Sequence, residues 1–553
     1  MAFEQSPDAV SADPSGEAGD APQAYVNADE RTGSIAGKPN YTIDEAANQI
    51  IRGEPGWSGA LGQGASVTYA FRSDAPATMP DGVSGFQRFN ATQIHAAELA
   101  LQGWSDAANI SFNRVGAGET GEGAYSNNAT ILFGDYTSGQ DGAAAFSYFP
   151  GPTRASSAAG DVWVNISLAG NQSPTVGSYG AFVLAHELGH TIGLEHPSDY
   201  DQDPDSTPTY ANDASYYEDS QQYTLMSYFS VANTGGRTFG TYAAAPMLDD
   251  IAAVQLEYGA NMSTRTGDTV YGFNSTAGRP WFEATSANSR LVFAVWDAGG
   301  NDTFDFSGYS QNQKIELRAG YFSDVGGLTG DVAVAQGTVI ENARAGSGAD
   351  TLTGNDAGNG LYGGAGDDVI QGAAGQNYLR GEAGNDRLVG GADFDDINGN
   401  MGLDTASGGG GDDWVVGGQD GDSLAGEAGG DIVYGNLGND TGDGGDGADL
   451  VRGGQGDDSL VGGAGADFLS GDRGADTISG GDGADVFNTF AGAGLDRVLD
   501  FSTAEGDRVR VEGATYSVYA SGADTVVDLG NGDQMVLVNV GAASLTDGWI
   551  VTV

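Results

Sequence analysis

The chain has 553 residues, with 76 Asp and Glu against 21 Lys and Arg, a formal net charge of −55, 93 Gly, 4 His and no Cys. That length accommodates two or more domains with a sizeable core. The charge repels nucleic acid, and no basic patch offsets it. The lack of Cys excludes disulfides, thiol chemistry and thiolate metal sites. No apolar run approaches the about 18 residues of a membrane-spanning helix, so no membrane anchoring is expected, and the charge points to a cationic partner, with the Asp-rich half suggesting calcium.

In chain order, residues 1–30 are polar and acidic, without the basic start and apolar stretch of a signal peptide, and read as a disordered leader or propeptide. Residues 31–260 have the composition of an ordinary globular domain of mixed α and β type. Helices are predicted at Tyr41–Ile51, Gln87–Trp104, Phe182–Leu194 and Met247–Tyr258, and strands at Val67–Phe71, Ile110–Arg114, Ile131–Phe133 and Val162–Ile166. Phe89, Ile94, Ala97 and Leu101 fall near one face of the second helix. Residues 261–553 form a second, all-β domain, opening with strands at Leu291–Trp296, Thr303–Phe306 and Lys314–Leu317.

Within it, residues 346–487 repeat the unit Gly-Gly-x-Gly-x-Asp-x-apolar-x. Its Asp recurs at Asp350, Asp368, Asp386, Asp395, Asp404, Asp413, Asp422, Asp431, Asp440, Asp449, Asp458, Asp467, Asp476 and Asp485, and Asn359 and Asn377 fill the two gaps in register. The residue two further on is usually apolar, with Ala406 and Gly442 as weak members; Ala357, Asp393 and Asp420 replace the Gly two before the Asp. Unbroken phase over this span predicts a parallel β-roll, two copies per coil, and argues against a disordered linker. Each copy is a tight turn, which glycines such as Gly363, Gly366, Gly453, Gly456, Gly462 and Gly465 permit, plus a short strand that turns its apolar residue inward. Stacked turns bring carboxylates together: Arg344–Phe487 holds 27 acids and 5 bases. Several Ca²⁺ ions, which prefer hard oxygen ligands, would take these Asp carboxylates and turn carbonyls and couple binding to folding. After Phe487, strands at Asp496–Phe501, Asp507–Val511, Thr525–Leu529 and Gln534–Val540 are expected to cap the roll.

Three of the four His lie in His186-Glu187-Leu188-Gly189-His190-Thr191-Ile192-Gly193-Leu194-Glu195-His196. A spacing of four puts His186 and His190 on one helix face, and a left-handed turn at Gly193 returns His196 as a third ligand. Three neutral imidazoles with an open position suit one catalytic Zn²⁺, and Glu187 is placed to act as general base in peptide-bond hydrolysis. A closed structural zinc site would leave Glu187 without a role. His95 reads as a packing or surface residue, and the loop Asp199–Asp205 as solvent-facing.

On these motifs the chain resembles the serralysins, secreted bacterial zinc metalloproteases of the metzincin type. The match includes Pro197 after the third His, and Leu225-Met226-Ser227-Tyr228 looks like the family's methionine turn. The resemblance extends over residues 35–553. It implies an α+β metzincin-like catalytic domain followed by the β-roll, with Met226 as an apolar floor beneath the zinc and Tyr228 as a movable zinc ligand that stabilises the oxyanion. It also implies an edge strand in Asp141–Gly151, with Ala143, Ala144 and Ala145, that pairs with extended polypeptide substrates. Broad specificity, export by a type I secretion apparatus reading a signal at Asp547–Val553, an extracellular location, a zymogen form, a proteinaceous inhibitor as further partner and a monomeric state belong to the same resemblance. The alternative is a calcium-dependent adhesin or surface-layer protein with an inactive zincin-like domain, which the intact Glu187 disfavours. A lipase of similar architecture would need a Gly-x-Ser-x-Gly elbow before a suitable helix, and none is present.

Overall fold

The computed structural model describes residues 25–53, 56–80, 82–139, 143–151, 159–200 and 208–553. They fall into two compact units. The first runs up to Asp302 and takes in Ala319–Ile340; the second comprises Thr303–Arg318 and Glu341–Val553. Residues 261–302 and 319–340, which the division at 260 places in the second segment, thus fold with the first unit. The fold class is α+β followed by an all-β, largely parallel roll, as the sequence predicts.

In the first unit, β1 (Ala65–Phe71), β2 (Ile110–Arg114), β3 (Ile131–Tyr136), β4 (Ala145–Ser147) and β5 (Val162–Asn165) form one sheet in the order β2-β1-β3-β5-β4. All its pairs are parallel except β4 against β5, and β4 forms one outer edge of the sheet, with β2 at the other. Helices α1 (Ile43–Ile51), α2 (Ala91–Ala107), α3 (Tyr179–Thr191) and α4 (Leu248–Tyr258) pack with it. Asn90 caps α2 by accepting from Gln93 N, with the Gln93 side chain reaching back to Asn90 N. Phe89, Ile94, Ala97 and Leu101 are buried.

Residues 1–24 of the expected leader lie outside the described residues, and its last six differ from expectation. Tyr25–Glu30 belongs to the packed first unit: Val26 and Asn27 are buried, Val26 N donates to Tyr223 Oη at 2.8 Å, and Asn27 Oδ1 accepts from Phe322 N at 3.0 Å. Next to them the Arg31–Asp249 ion pair, 2.8 Å and fully buried, ties this segment to α4. Composition conceals such packing because few side chains carry it.

The second unit is the expected roll. Strands one coil apart pair in parallel with a register of 18 residues. Leu361, Leu379, Ile397, Val415, Val433, Val451, Leu469 and Phe487 stack in one buried ladder, and Leu352, Ile370, Leu388, Ala406, Leu424, Gly442, Leu460 and Ile478 in the other. The gap at Gly442 is closed by Val451, Leu460 and Val433. Gly366, Gly456 and Gly465 have φ of +121°, +139° and +149°, and a Cβ there would strike the carbonyl of the preceding coil. Asp420, at the equivalent position, itself adopts φ +73°. Beyond the repeat, Asp524–Gly530 and Ser517–Ser521 turn antiparallel at the end of one sheet.

The repeat Asp carboxylates sit between coils. Asp350 N donates to Asp368 Oδ1 at 2.7 Å, Asp368 N to Asp386 Oδ1 at 2.9 Å, and the pattern continues to Asp467 N and Asp485 Oδ1 at 3.0 Å. The second oxygen, Oδ2, is buried without a hydrogen-bond partner at Asp368, Asp386, Asp395, Asp404, Asp413, Asp422, Asp431, Asp440, Asp449, Asp458, Asp467, Asp476 and Asp485. Gly363, Gly453 and Gly462 leave room for that oxygen, since a Cβ at each would run into it. The ladder continues where the repeat no longer reveals it: Asp485 N donates to Asp507 Oδ1 at 3.1 Å, and Asp496 is buried one strand pairing beyond Asp476.

Burial, helped by neighbouring carboxylates, pushes Asp368, Asp422 and Asp458 up to about 7 and Asp413 and Asp467 up to about 6. In the metal-free roll the folded state therefore binds more protons than the unfolded chain between the ordinary carboxylate range and about pH 7, and stability falls as pH rises through that window. With divalent metal chelated, the strand signal in circular dichroism should be stronger at pH 4.5 than at pH 8; the reverse order would refute this reading of the ladder.

Candidate metal centre

Helix α3 starts at Ser178, whose Oγ accepts from Ala181 N, and is buried from Gly180 to Thr191. It ends in a Schellman turn: Leu194 N donates to Gly189 O and Gly193 N to His190 O, both at 3.0 Å, with Gly193 at φ +105°. The turn brings His196 back over the helix. Its loop is fastened by α1 and the residues after it: Glu195 N donates to Ile50 O at 2.7 Å, Gln49 Nε2 to Pro197 O at 3.0 Å and Arg52 Nη2 to His196 O at 3.0 Å.

His186, His190 and His196 are all buried, with ligand nitrogens within 4.8 Å of one another. Nε2 of His196 lies 3.1 Å from Nε2 of His190 and 3.4 Å from Nε2 of His186. Two nitrogens bound tetrahedrally at the usual zinc–imidazole distance would stand about 3.3 Å apart. Nδ1 of His186 meets Leu225 O and Nδ1 of His190 meets Leu194 O, each at 2.7 Å. Donation to these carbonyls places the proton on Nδ1 and turns the Nε2 lone pair toward the common centre. Burial drives His186 down to about 4 and His190 to about 3, with His186 adding to the shift at His190, and holds His196 well below the ordinary imidazole range. The rings are neutral at physiological pH, the form that binds metal. The donor set fits zinc.

Met226 is buried beneath this turn. A Cβ on Gly189 would collide with its Sδ and press on Trp104, so the third residue of the His186–His190 interval is small because the methionine occupies that space. The Tyr228 ring centroid lies 4.4 Å from that of His196 and 6.0 Å from that of His186, and a cavity of about 310 Å³ opens beside it, lined among others by Phe182, Val231 and Tyr242.

Three residues at the centre escape sequence reasoning. Ser147, at the end of outermost strand β4, is buried; its Oγ lies 2.6 Å from Glu187 Oε2 and 3.0 Å from Glu187 O. Asp219 accepts from Ser198 Oγ at 2.5 Å, Ser227 Oγ at 2.7 Å and Tyr200 Oη, joining the segment after His196 to the methionine turn. Asp250 accepts from Leu225 N at 2.7 Å and Thr224 Oγ1 at 2.5 Å and fixes the turn to α4. Burial pushes Asp219 up to about 6 and Asp250 up to about 7. None of the three belongs to a periodic motif; the one available signal is the acid-and-hydroxyl cluster Glu218-Asp219-Ser220.

The expected edge segment Asp141–Gly151 contains β4. Asp141 and Gly142 lie outside the described residues, Ala143, Ala144 and Ala145 are buried, and the Ala143 carbonyl accepts from Tyr136 Oη and Asn165 Nδ2. Residues 201–205 of the Asp199–Asp205 loop also lie outside the described residues. His95 is largely exposed and faces Glu119 at 3.2 Å, away from any metal cluster among the described residues.

A family model described as "Peptidase M10 serralysin C terminal" matches residues 260–540, about half of the chain, and one described as "Metallo-peptidase family M12" matches residues 90–239. The chain is 51% identical to Serralysin C of Dickeya chrysanthemi over 321 residues, 58% of this chain and 65% of that protein. It is 45% identical to Metallopeptidase AprA of Pseudomonas marginalis, over 59% of this chain and 68% of that one, and 41% identical to the Serralysin of Photorhabdus luminescens, over 61% and 68%. The chain thus spans just under two thirds of the length of Dickeya relatives, 65% and 66% for Serralysins C and G. Among the described residues no helix is long and apolar enough to cross a membrane.

The packing beneath the centre is tight enough to test. Gly189→Ala should destabilise the first unit by about 1–3 kcal/mol, the usual cost of forcing a methyl into a filled core, and weaken zinc retention, because Met226 must shift under His186 and His190. Thermal unfolding and zinc content of the purified variant measure both; an unchanged melting temperature would contradict the geometry.

Proposed function

Because this chain belongs to the serralysin family, we propose that it is a secreted zinc-dependent endopeptidase that cleaves extracellular proteins with broad specificity and carries a calcium-dependent roll. The observation that supports it most is the convergence of three buried, neutral imidazoles with Glu187 alongside. His186, His190 and His196 would hold the zinc; when bound, zinc supplies Lewis acidity that polarises a peptide carbonyl and lowers the pKa of water.

Glu187 then takes the proton of the attacking water and passes it to the leaving amine, so that its carboxylate is restored at the end of each turnover. Ser147 holds the Glu187 carboxylate by donating to Oε2, fixing the orientation of the base before substrate arrives. Because Ser147 ends β4, an extended substrate pairing beside that strand would be registered against the base by the same short segment. Tyr228, next to His196 and His186, would serve as an additional ligand to zinc in the resting state and would donate a hydrogen bond from its hydroxyl to the oxyanion once it moved off. Met226 supports the ligand set from below. In the roll, the unpartnered Oδ2 atoms of the repeat Asp residues supply hard oxygens for Ca²⁺. Export through a type I apparatus, a zymogen form and control by a protein inhibitor follow from family membership under the same proposal.

Casein hydrolysis tests the peptidase reading. Glu187→Gln should abolish it with zinc content unchanged, and Ser147→Ala should lower kcat about tenfold to a hundredfold, the worth of a hydrogen bond to a charged group, while KM stays near that of the unaltered enzyme. Intact casein after incubation with folded, zinc-loaded protein would defeat the assignment.

Calcium gives an independent check. The ladder must surrender protons to bind metal, so the calcium concentration at half-maximal strand signal should fall between pH 5.5 and pH 8, with measurable proton release at the lower pH. A midpoint independent of pH would show that these carboxylates are not the ligands.

A further inference from the structure

The second unit carries a surface that neither metal site uses. Along the outer side of the sheet running from Asn342–Arg344 to Phe468–Arg473 lies an open trough of about 1420 Å³. Its lining carries three Arg against the two carboxylates Glu382 and Asp472, a slight basic excess within a strongly acidic stretch. Of the five basic residues in the acidic stretch Arg344–Phe487, Arg380, Arg452 and Arg473 line the trough, and Arg344 stands in register beside its Tyr362 wall; Arg387 is the exception.

The four guanidinium groups are presented in two ways. Arg380 is fixed by Asp396 at 2.8 Å and stacks on Tyr378 at 3.4 Å, and Arg452 is gripped by Asp472 at 2.7 Å. Arg344 and Arg473 are exposed, and neither forms an ion pair with a carboxylate among the described residues. Their strands are seven pairings apart, about 34 Å at the usual strand spacing. Between them the trough offers the side-chain amides of Asn398, Asn400, Gln419 and Asn436.

We propose that this trough binds a linear polyuronide, a glycan with a carboxylate on successive sugars, laid along the roll axis. Guanidinium forks match carboxylates in bidentate geometry, and the amides between them suit sugar hydroxyls. The spacing favours a glycan over a peptide. An extended peptide repeats about every 6.7 Å, out of step with the coils, whereas a pyranose in a stretched chain advances by about one coil. A peptide would also find no strand edge here, because the strands of this face are paired on both sides. The proposal rests on the second unit and stands whether or not the first hydrolyses peptides.

The test uses the full-length, calcium-loaded protein in calorimetric titration with a short oligogalacturonate, too short to gel with calcium. Binding is expected, with loss of most of the heat when the methyl-esterified oligomer replaces the acid and affinity reduced about tenfold or more by Arg344→Gln combined with Arg473→Gln. Casein hydrolysis and the calcium-dependent strand signal of that variant should match those of the unaltered chain. Four results would each overturn the proposal: no binding, equal binding of the methyl ester, equal binding of a poly-glutamate peptide, or acid binding that survives both substitutions in a folded variant. The last would mean that calcium bridges the glycan to the acidic turns instead. The ester and peptide comparisons are made on the unaltered protein and do not depend on the variant folding.

Discussion

The metal centre depends on one local event, the left-handed turn at Gly193. Without it α3 would carry His186 and His190 on one face and nothing opposite them. With it, Leu194 lies where its carbonyl orients His190, and His196 descends to within 3.1 Å of its neighbour. The surrounding elements are recruited to keep that return path in place. The end of α1 holds the carbonyls of His196 and Pro197, Asp219 ties Ser198 and Tyr200 to Ser227, and Asp250 holds Leu225, whose carbonyl orients His186. Three ligands from one short stretch are positioned by residues scattered from 49 to 250.

Most of this centre was legible in the sequence because its spacing is the message. A spacing of four from His186 to His190 means one helix face, a Gly three beyond means a stop, and a His three further means a return. Met226 and Tyr228 could be placed through resemblance. Ser147, Asp219 and Asp250 could not, because a Ser on a three-residue strand and single buried acids in loops obey no period and reveal their partners only when the chain folds. The same distinction runs through the roll. The Asp positions from 350 to 485 were visible because they never slip, whereas Asp496 and Asp507 continue the ladder across connections two and four residues longer than a coil, which breaks the phase while preserving the geometry. Elements of the first unit emerged within a few residues of expectation, and the misplacement of Tyr25–Glu30 came from composition: two buried residues, Val26 and the hydrogen-bonded Asn27, outweigh an acidic, Pro-rich neighbourhood.

One physical effect shifts the imidazole cluster and the Asp ladder in opposite directions. Burial disfavours charge, so it lowers the imidazoles and raises the carboxylates. For His186 and His190 this yields the neutral form that binds metal, with each Nδ1 hydrogen-bonded to a backbone carbonyl. For the repeat Asp residues burial shifts the balance toward the protonated form, which is the poorer cation ligand, and one oxygen of each is already committed to a backbone N–H of the preceding coil. The roll therefore has its oxygens aligned but held in an unfavourable state, with a single large apolar side chain per nine residues to offset the strain of gathering them.

That asymmetry bears on the order in which the units become functional. The first unit has a core of aromatic and aliphatic side chains reaching from Val26 to Ala335, and its ligands are fixed by carbonyls that helix and turn supply in any case. Its fold needs no ion to be consistent. The second has thin apolar ladders and a negative charge that grows as pH rises, so gathering its carboxylates becomes costlier as protons leave. Protonation thus acts on the Asp ladder of the roll directly, while the three imidazoles of the metal centre are already neutral across the physiological range.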